Sequence, residues 1–383
     1  MITVFLAPYP FRGHQAPDLW FFYKVLTSVK EPVHFILSKD YFNSVEYWQE
    51  RFRWEPKEYN QRKHGYTLPT QQQLDNCQFT LLDEAFFEQH LQNYANPTEF
   101  YKAWLTEDIP ELRQKLKYIL ANISHPEAVL VWNNCASLNL AAEALNIPVV
   151  HFEQGSLRLP DYFSTFFFDF QGVNGSAEAE SRYLNAAEEC KQQLSVNELR
   201  HYFSKALHAS PAAPEYDIGV ALQVENDSNL VAYGNSFNNF TLLEYMRVKH
   251  HATMKKIIVR PHPYALFTPN AKASFQIDSS PCSNDFISRC HHIVTVNSGV
   301  ALEAILLNKE VTILGEGPFK FIAEAENEAE KCRRLYFYLF AYLVPYELLL
   351  DMDYLRFRLS KPKDSEIIHW HKSCYETQKA LLS

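Results

Sequence analysis

Short apolar runs alternate with longer amphipathic stretches along most of the chain. ITVFL (2–6) reads as a strand, followed by a Pro-rich loop and an amphipathic helix from about Asp18. A clearer unit is AVLVW (128–132), the polar turn Asn133-Asn134-Cys135, the helical SLNLAAEALN (137–146) and the strand-like IPVVHF (147–152). Strand, loop, helix and strand in that order predict a parallel βαβ crossover of right-handed sense. The alternation restarts with strands at 218–224, 255–263, 292–296 and 310–317, and helices at 239–251, 283–290 and 299–308. Residues 40–125 are polar and predict helices and loops, and the prolines of LHASPAAPEYDI (206–217) mark a linker. Two α/β runs of this kind predict two Rossmann-like, doubly wound domains facing a cleft, with ligands beyond the carboxyl ends of the strands.

Composition narrows the chemistry. With 10 glycines in 383 residues, a glycine-rich phosphate loop is not expected to carry the function. A net charge of −9 argues against a general nucleic-acid binder, which needs clustered Lys and Arg. Seven scattered cysteines without a C-x-x-C pair read as reduced thiols of a cytoplasmic protein. MITVFLAPYPFRGH lacks a basic n-region, and its prolines interrupt the apolar run, so no signal peptide is expected. LYFYLFAYLVPYELLL (335–350) is shorter than the ~20 residues of a membrane span and contains Pro345. It is expected to be a buried or docking helix; an interfacial contact with the inner membrane face or an assembly complex is the other use of such a segment.

The predicted strand ends carry the chemistry. Glu153-Gln154-Gly155-Ser156-Leu157-Arg158 follows one strand, Glu225-Asn226-Asp227-Ser228 the next, then Pro261-His262-Pro263 after Arg260, and Asn297-Ser298-Gly299 opens a helix that contains Glu303. A helix start offers unpaired N–H groups to a phosphate, and Glu303 can accept hydrogen bonds from two ribose hydroxyls. Two prolines around His262 make a rigid loop that can aim His262 and Arg260 at a phosphate. Glu153 and Asp227 are a candidate carboxylate pair for glycosyl chemistry, and Arg158 can grip a substrate carboxylate. Each also has an ordinary use, as helix cap, surface turn or ion pair. Asp169 and Asn174, in FFFDFQGVNGS, suit an Asx turn.

The ordered set E-x-G-x-x-R (Glu153, Gly155, Arg158), D-x-x-G-V-N (Asp169 to Asn174), Q-V-E-x-D-S (Gln223 to Ser228), H-P (His262, Pro263) and N-S-G-x-x-L-E-A (Asn297 to Ala304) spans residues 153–304. It resembles the capsule-polysaccharide-type retaining β-Kdo transferases of Gram-negative bacteria, which build capsule linkers or terminate O-antigen chains. The resemblance implies a GT-B-like fold, CMP-Kdo as donor, no metal, and retention through a covalent glycosyl-enzyme intermediate. It makes Asp227 the nucleophile, Glu153 the acid/base and His262 the H-P histidine, and it places the nucleotide at Ser298 and Glu303. Arg158, Arg260, Asn297 and Gly299 complete the expected donor site. Arg260 stands where the family often has Lys. Arg12, His14 and Asn133 are the acceptor-side candidates.

The domains expected on this reading are residues 1–210 on the acceptor side and 211–335 on the donor side, with 336–383 a helical segment packing back on the first domain. The partners are a nucleotide-sugar donor and a saccharide or glycolipid acceptor. Two rival readings stay open: the same fold with CMP-sialic acid, CDP-glycerol or a UDP-sugar as donor, and a non-catalytic scaffold in polysaccharide assembly.

Overall fold

The computed structural model describes residues 1–7, 16–43, 70–205, 213–250, 256–263, 265 and 275–381. They divide into two compact units. The first comprises Met1–Glu153, Asp169–Gly172 and Leu350–Lys361; the second comprises Gln154–Phe168, Val173–Leu349 and Pro362–Ser383.

In the first unit, β1 (Ile2–Phe5), β2 (Val33–Ser38), β3 (Gln78–Leu82), β4 (Ala128–Trp132) and β5 (Val149–Gln154) lie side by side in the order β3-β2-β1-β4-β5, every pair parallel. β1 and β4 read as unbroken apolar runs because the helices α1 (Ala16–Ser28), α2 (Pro97–Thr106), α3 (Pro110–Ala121) and α4 (Ala136–Glu143) accompany a parallel sheet buried on both faces. The aromatic surplus goes into this core: Phe22 meets Phe35 edge-on at 5.1 Å, and Trp20 meets Trp132 at 5.1 Å. β4 falls on the predicted 128–132. β2 and β3 are additional to the strands predicted, and β3 lies in the segment expected to hold only helices and loops.

β6 (Thr165–Asp169), which belongs to the second unit through Phe168, precedes that unit's β7 (Tyr216–Ala221), β8 (Ile257–Arg260), β9 (Gln276–Ile277), β10 (Cys290–Thr295) and β11 (Glu310–Ile313). The last five form a parallel sheet in the order β11-β10-β7-β8-β9. Its helices include α5 (Val196–Phe203), α6 (Ser228–Tyr233), α7 (Asn239–His250), α8 (Ser283–Ser288), α9 (Val300–Leu306) and α10 (Glu328–Phe337). The apolar stretch 335–350 is core. α10 continues into a π-helical turn, Tyr338–Tyr342, and β12 (Val344–Pro345) pairs antiparallel with β6. Tyr336 through Val344 are 0% exposed.

This division differs from the boundaries 1–210 and 211–335. Leu157, Phe163, Leu199 and Phe203 share one apolar cluster with Leu302, Leu339 and Tyr375, so the segment after β5 packs with the second unit. The C-terminal stretch is divided too. α11 (Met352–Leu359) returns to the first unit, between left-handed residues Leu350 (φ 61°) and Lys361 (φ 54°) that turn the chain at either end. Arg356 on α11 reaches Glu31 at 2.5 Å and Glu127 at 2.9 Å. α12 (Asp364–Ala380) then belongs to the second unit. Among the described residues no helix is long and apolar enough to cross a membrane.

Candidate functional site

In the second unit the chain order runs outward from β7 to β8 and β9 on one side and from β10 to β11 on the other. The carboxyl ends of β7 and β10 therefore flank the topological switch point, where doubly wound sheets bind ligands. Ala221 lies opposite Thr295 on one side and opposite Arg260 on the other. Leu222–Asp227, Val296–Gly299 and Pro261–Pro263 consequently leave the sheet side by side. Three of the four polar strand ends predicted from sequence share one edge. The fourth, Glu153, lies inside β5 rather than after it, is partly buried and belongs to the first unit.

Several polar residues of this edge hold one another. Gln223 Nε2 donates to Asn297 Oδ1 at 2.9 Å, and Asn297 N–H donates back to Gln223 Oε1 at 3.1 Å. Asn297 Nδ2 donates to the carbonyls of Asn229, Tyr233 and Glu316 at 2.9–3.2 Å. Asn239 Nδ2 donates to the Gln223 carbonyl at 2.7 Å and to Glu225 Oε1 at 3.3 Å, and its Oδ1 accepts from Gln223 N–H at 3.0 Å. Gln223, Asn239 and Asn297 are 2–6% exposed. Asn297 is thus the hub of a buried amide network and not a side chain turned to a nucleotide.

That network carries Asp227. Its backbone N–H donates to the Val224 carbonyl at 3.1 Å, and its Oδ1 accepts from Asn229 N–H at 3.0 Å as the N-cap of α6. The capping bond satisfies a helix-end donor and fixes the direction of the carboxylate. Buried Asn174, in the left-handed region at φ 61° that Asn tolerates, donates to Ser228 Oγ at 3.2 Å. A Cβ on Gly175 would lie 2.4 Å from the Tyr233 ring, so that glycine lets the 173–176 turn close on α6. Asp169 does make the expected Asx turn: its Oδ1 accepts from Gln171 N–H at 2.8 Å and Gly172 N–H at 3.0 Å.

Beside this edge lies a charged group of residues. Glu303 Oε2 accepts from Ser283 Oγ at 2.5 Å, and Glu303 has no other hydrogen-bond partner among the described residues. Burial pushes its carboxyl up to about 7; the Ser283 bond and the Arg158 and Arg260 charges pull it down, while Asp161 pushes with the burial. Arg260 Nη1 bonds Asp278, whose side chain is 0% exposed, at 2.5 Å and the Ser280 carbonyl at 3.0 Å. Nε and Nη2 of Arg260 stay unbonded among the described residues. Arg158 is exposed; its Nε donates to the Gly155 carbonyl at 2.9 Å, which leaves both Nη groups available. His262 is partly buried between its two prolines, and its carbonyl accepts from Ala265 N–H at 3.0 Å. Ser298 Oγ accepts from Val300 N–H at 3.3 Å at the start of α9.

The two motif glycines differ. A Cβ on Gly155 would lie 2.3 Å from Thr165 Oγ1 and 2.6 Å from its backbone carbon, so E-x-G needs its glycine for packing. Gly299 has an ordinary φ of −55°, and its added Cβ would meet nothing nearer than the Ser156 carbonyl at 3.9 Å. The chain itself gives no steric reason for that glycine.

In the first unit the switch point lies between β1 and β4. Asn133, just beyond β4, is left-handed at φ 71°; its Nδ2 donates to Tyr101 Oη at 3.4 Å. Arg12 and His14, expected after β1, lie outside the described residues. Sequence reasoning passed over His151, two residues before Glu153 and hence on the same face of β5. It is fully buried, with Nδ1 2.9 Å from the Asn133 carbonyl, and burial lowers its pKa against the pull of that carbonyl and of Asp169.

Residues 4–178 match the model of the glycosyltransferase 99 family N-terminal domain, and residues 205–323 match that of capsule polysaccharide biosynthesis protein. The chain is a capsule-polysaccharide-type glycosyltransferase. The second match contains Asp227, His262 and Glu303; the first contains Glu153 and Arg158. No curated protein matches this transferase. Among solved structures it is similar to Thermosulfurimonas dismutans KpsC, beta Kdo 2,7 transferase, at 19% identity over 62% of this chain and 84% of that one (TM-score 0.45). It is also similar to the beta Kdo 2,4 transferase of the same KpsC, at 16% identity over 55% and 78% (TM-score 0.37). The spinosyn rhamnosyltransferase SpnG aligns at 14% identity over 88% and 89% (TM-score 0.30).

Proposed function

We propose that this transferase moves Kdo from CMP-Kdo to a saccharide acceptor of a bacterial capsule or O-antigen, with retention of configuration. Asp227 supports the reading most. It is a carboxylate at the switch point of the second unit, held in direction by α6 and placed within Q-V-E-x-D-S.

In the first step an Asp227 oxygen attacks the anomeric carbon of Kdo. The bond from that carbon to the CMP phosphate breaks, and CMP leaves with the electron pair. The leaving group is already an anion, so the site has to stabilise charge rather than supply a full proton. Arg158 and Arg260 provide open guanidinium donors for the phosphate and for the Kdo carboxylate. His262, on the loop between Pro261 and Pro263, stabilises the charge of the same group, and Glu303 takes the ribose. In the second step Glu153 removes the proton of an acceptor hydroxyl. That oxygen attacks the same carbon and releases Asp227 as carboxylate. Two displacements at one carbon restore its configuration. Asn133 is the acceptor-side candidate.

Product analysis tests the reading. Transfer of Kdo from CMP-Kdo to a saccharide, giving the β-linked product, supports it. Turnover with CDP-glycerol or a UDP-sugar but not with CMP-Kdo removes it.

A further inference from the structure

Ser283 and Asn284 open α8 and belong to none of the motifs above. Ser283 donates to Glu303 on α9 at 2.5 Å. Asn284, 4% exposed, donates from Nδ2 to Asp161 Oδ2 at 3.0 Å and accepts at Oδ1 from Tyr162 Oη at 3.3 Å. Asp161 and Tyr162 lie three and four residues after Arg158. These contacts make a circuit from Asp161 through Asn284 and Ser283 to Glu303, and the Arg158 charge acts on the Glu303 end of it. The start of α8 is thus held from two sides, by Glu303 through Ser283 and by Asp161 and Tyr162 through Asn284.

Glu303 has one oxygen held by Ser283, and its other oxygen is without a hydrogen-bond partner among the described residues. A carboxylate has about four acceptor positions, and a serine hydroxyl that donates its proton keeps two lone pairs. One face of the circuit therefore accepts two neighbouring O–H donors, while Arg158 beside it offers N–H donors to an anion. A ribonucleotide carries both features, a vicinal diol and a phosphate. A 2′-deoxyribonucleotide lacks one of the two hydroxyls.

We propose that Ser283 is a specificity-determining residue, which together with Glu303 reads the vicinal diol of a ribonucleotide donor and rejects the 2′-deoxy form. The inference rests on the nucleotide-donor reading above and adds a residue and a selectivity to it. The groups facing Glu303 are Ser283 from α8, Asp161 and Arg158 from the segment after β5, and Arg260 from β8.

The test is calorimetric binding of CMP and 2′-deoxy-CMP to the full chain, wild type and variants, with thermal melts to confirm folding. The wild type is expected to prefer CMP by roughly ten- to a hundred-fold, the effect of one hydrogen bond to a charged acceptor. Ser283→Ala is expected to shrink that ratio to within about threefold, and Ser283→Thr, which keeps the hydroxyl, to restore most of it. A loosened pocket would weaken both nucleotides together and leave the ratio in place. Equal wild-type affinity for the two nucleotides, or an unchanged ratio in folded Ser283→Ala, overturns the inference and leaves the donor reading standing. Failure of the wild type to bind CMP at all overturns both.

Discussion

Replacing Asn297 by alanine separates a structural hub from a nucleotide contact. The side chain provides bonds to three carbonyls and accepts one from Gln223, all at 2.9–3.2 Å. Alanine leaves the Gln223 amide and the Asn229, Tyr233 and Glu316 carbonyls short of a partner. A buried donor or acceptor without its bond costs about 1–3 kcal/mol, and carbonyls with a second lone pair lie at the low end. The effects are not additive and the space admits solvent, so the expected loss is about 3–5 kcal/mol. That is a large part of the ~5–15 kcal/mol that stabilises an ordinary domain. Urea unfolding of the full chain, followed by tryptophan fluorescence and far-UV dichroism together, reads this loss. Asn297→Asp should also destabilise, because a carboxylate cannot donate to the three carbonyls. A fall of less than about 1 kcal/mol in Asn297→Ala, with weaker CMP binding, would refute the hub and return Asn297 to the nucleotide.

Other expectations follow from single contacts. Glu303 has a folded pKa of about 7 against 4.5 for the free group, so it binds its proton more tightly in the folded chain. Its contribution to stability is full below pH 4.5 and is lost as pH rises through about 7; Glu303→Gln should flatten that decline in pH-dependent melts. CMP affinity should rise over the upper part of the same interval, because the ionised carboxylate is the stronger acceptor, and Glu303→Gln should remove the rise. Gly155→Ala forces Thr165 to move and should cost about 1–3 kcal/mol in urea unfolding. Gly299→Ala meets nothing closer than 3.9 Å and should unfold like the wild type while binding CMP more weakly, if a phosphate approaches that backbone.

The elements most legible in the sequence were the buried central strands. AVLVW could be read to the residue because a parallel strand covered on both faces leaves an unbroken apolar run. β3 was hidden because it is an edge strand with an exposed Gln78 and Leu81, and its pattern does not differ from the polar segment around it. The unit boundary was hidden for a different reason. Residues 157–203 follow the first sheet in sequence, but their apolar faces meet Leu302, Leu339 and Tyr375, and no local pattern records such distant contacts. At the candidate site the positions of the polar groups were readable, but their division of labour was not. Asn297 read as a donor-site residue and proves to be paired with Gln223 across 74 positions, while Ser283, which bonds Glu303, and His151, which bonds the Asn133 carbonyl, carried no motif.

Asp227 as nucleophile is the claim on which the account stands. The most direct measurement is mass spectrometry of the full chain quenched after mixing with CMP-Kdo, with peptide mapping of any adduct. The account predicts one Kdo ester on the peptide containing Asp227, absent from a folded Asp227→Asn variant that still binds CMP. An adduct on a peptide without Asp227, or turnover by Asp227→Asn at the wild-type rate, would contradict it.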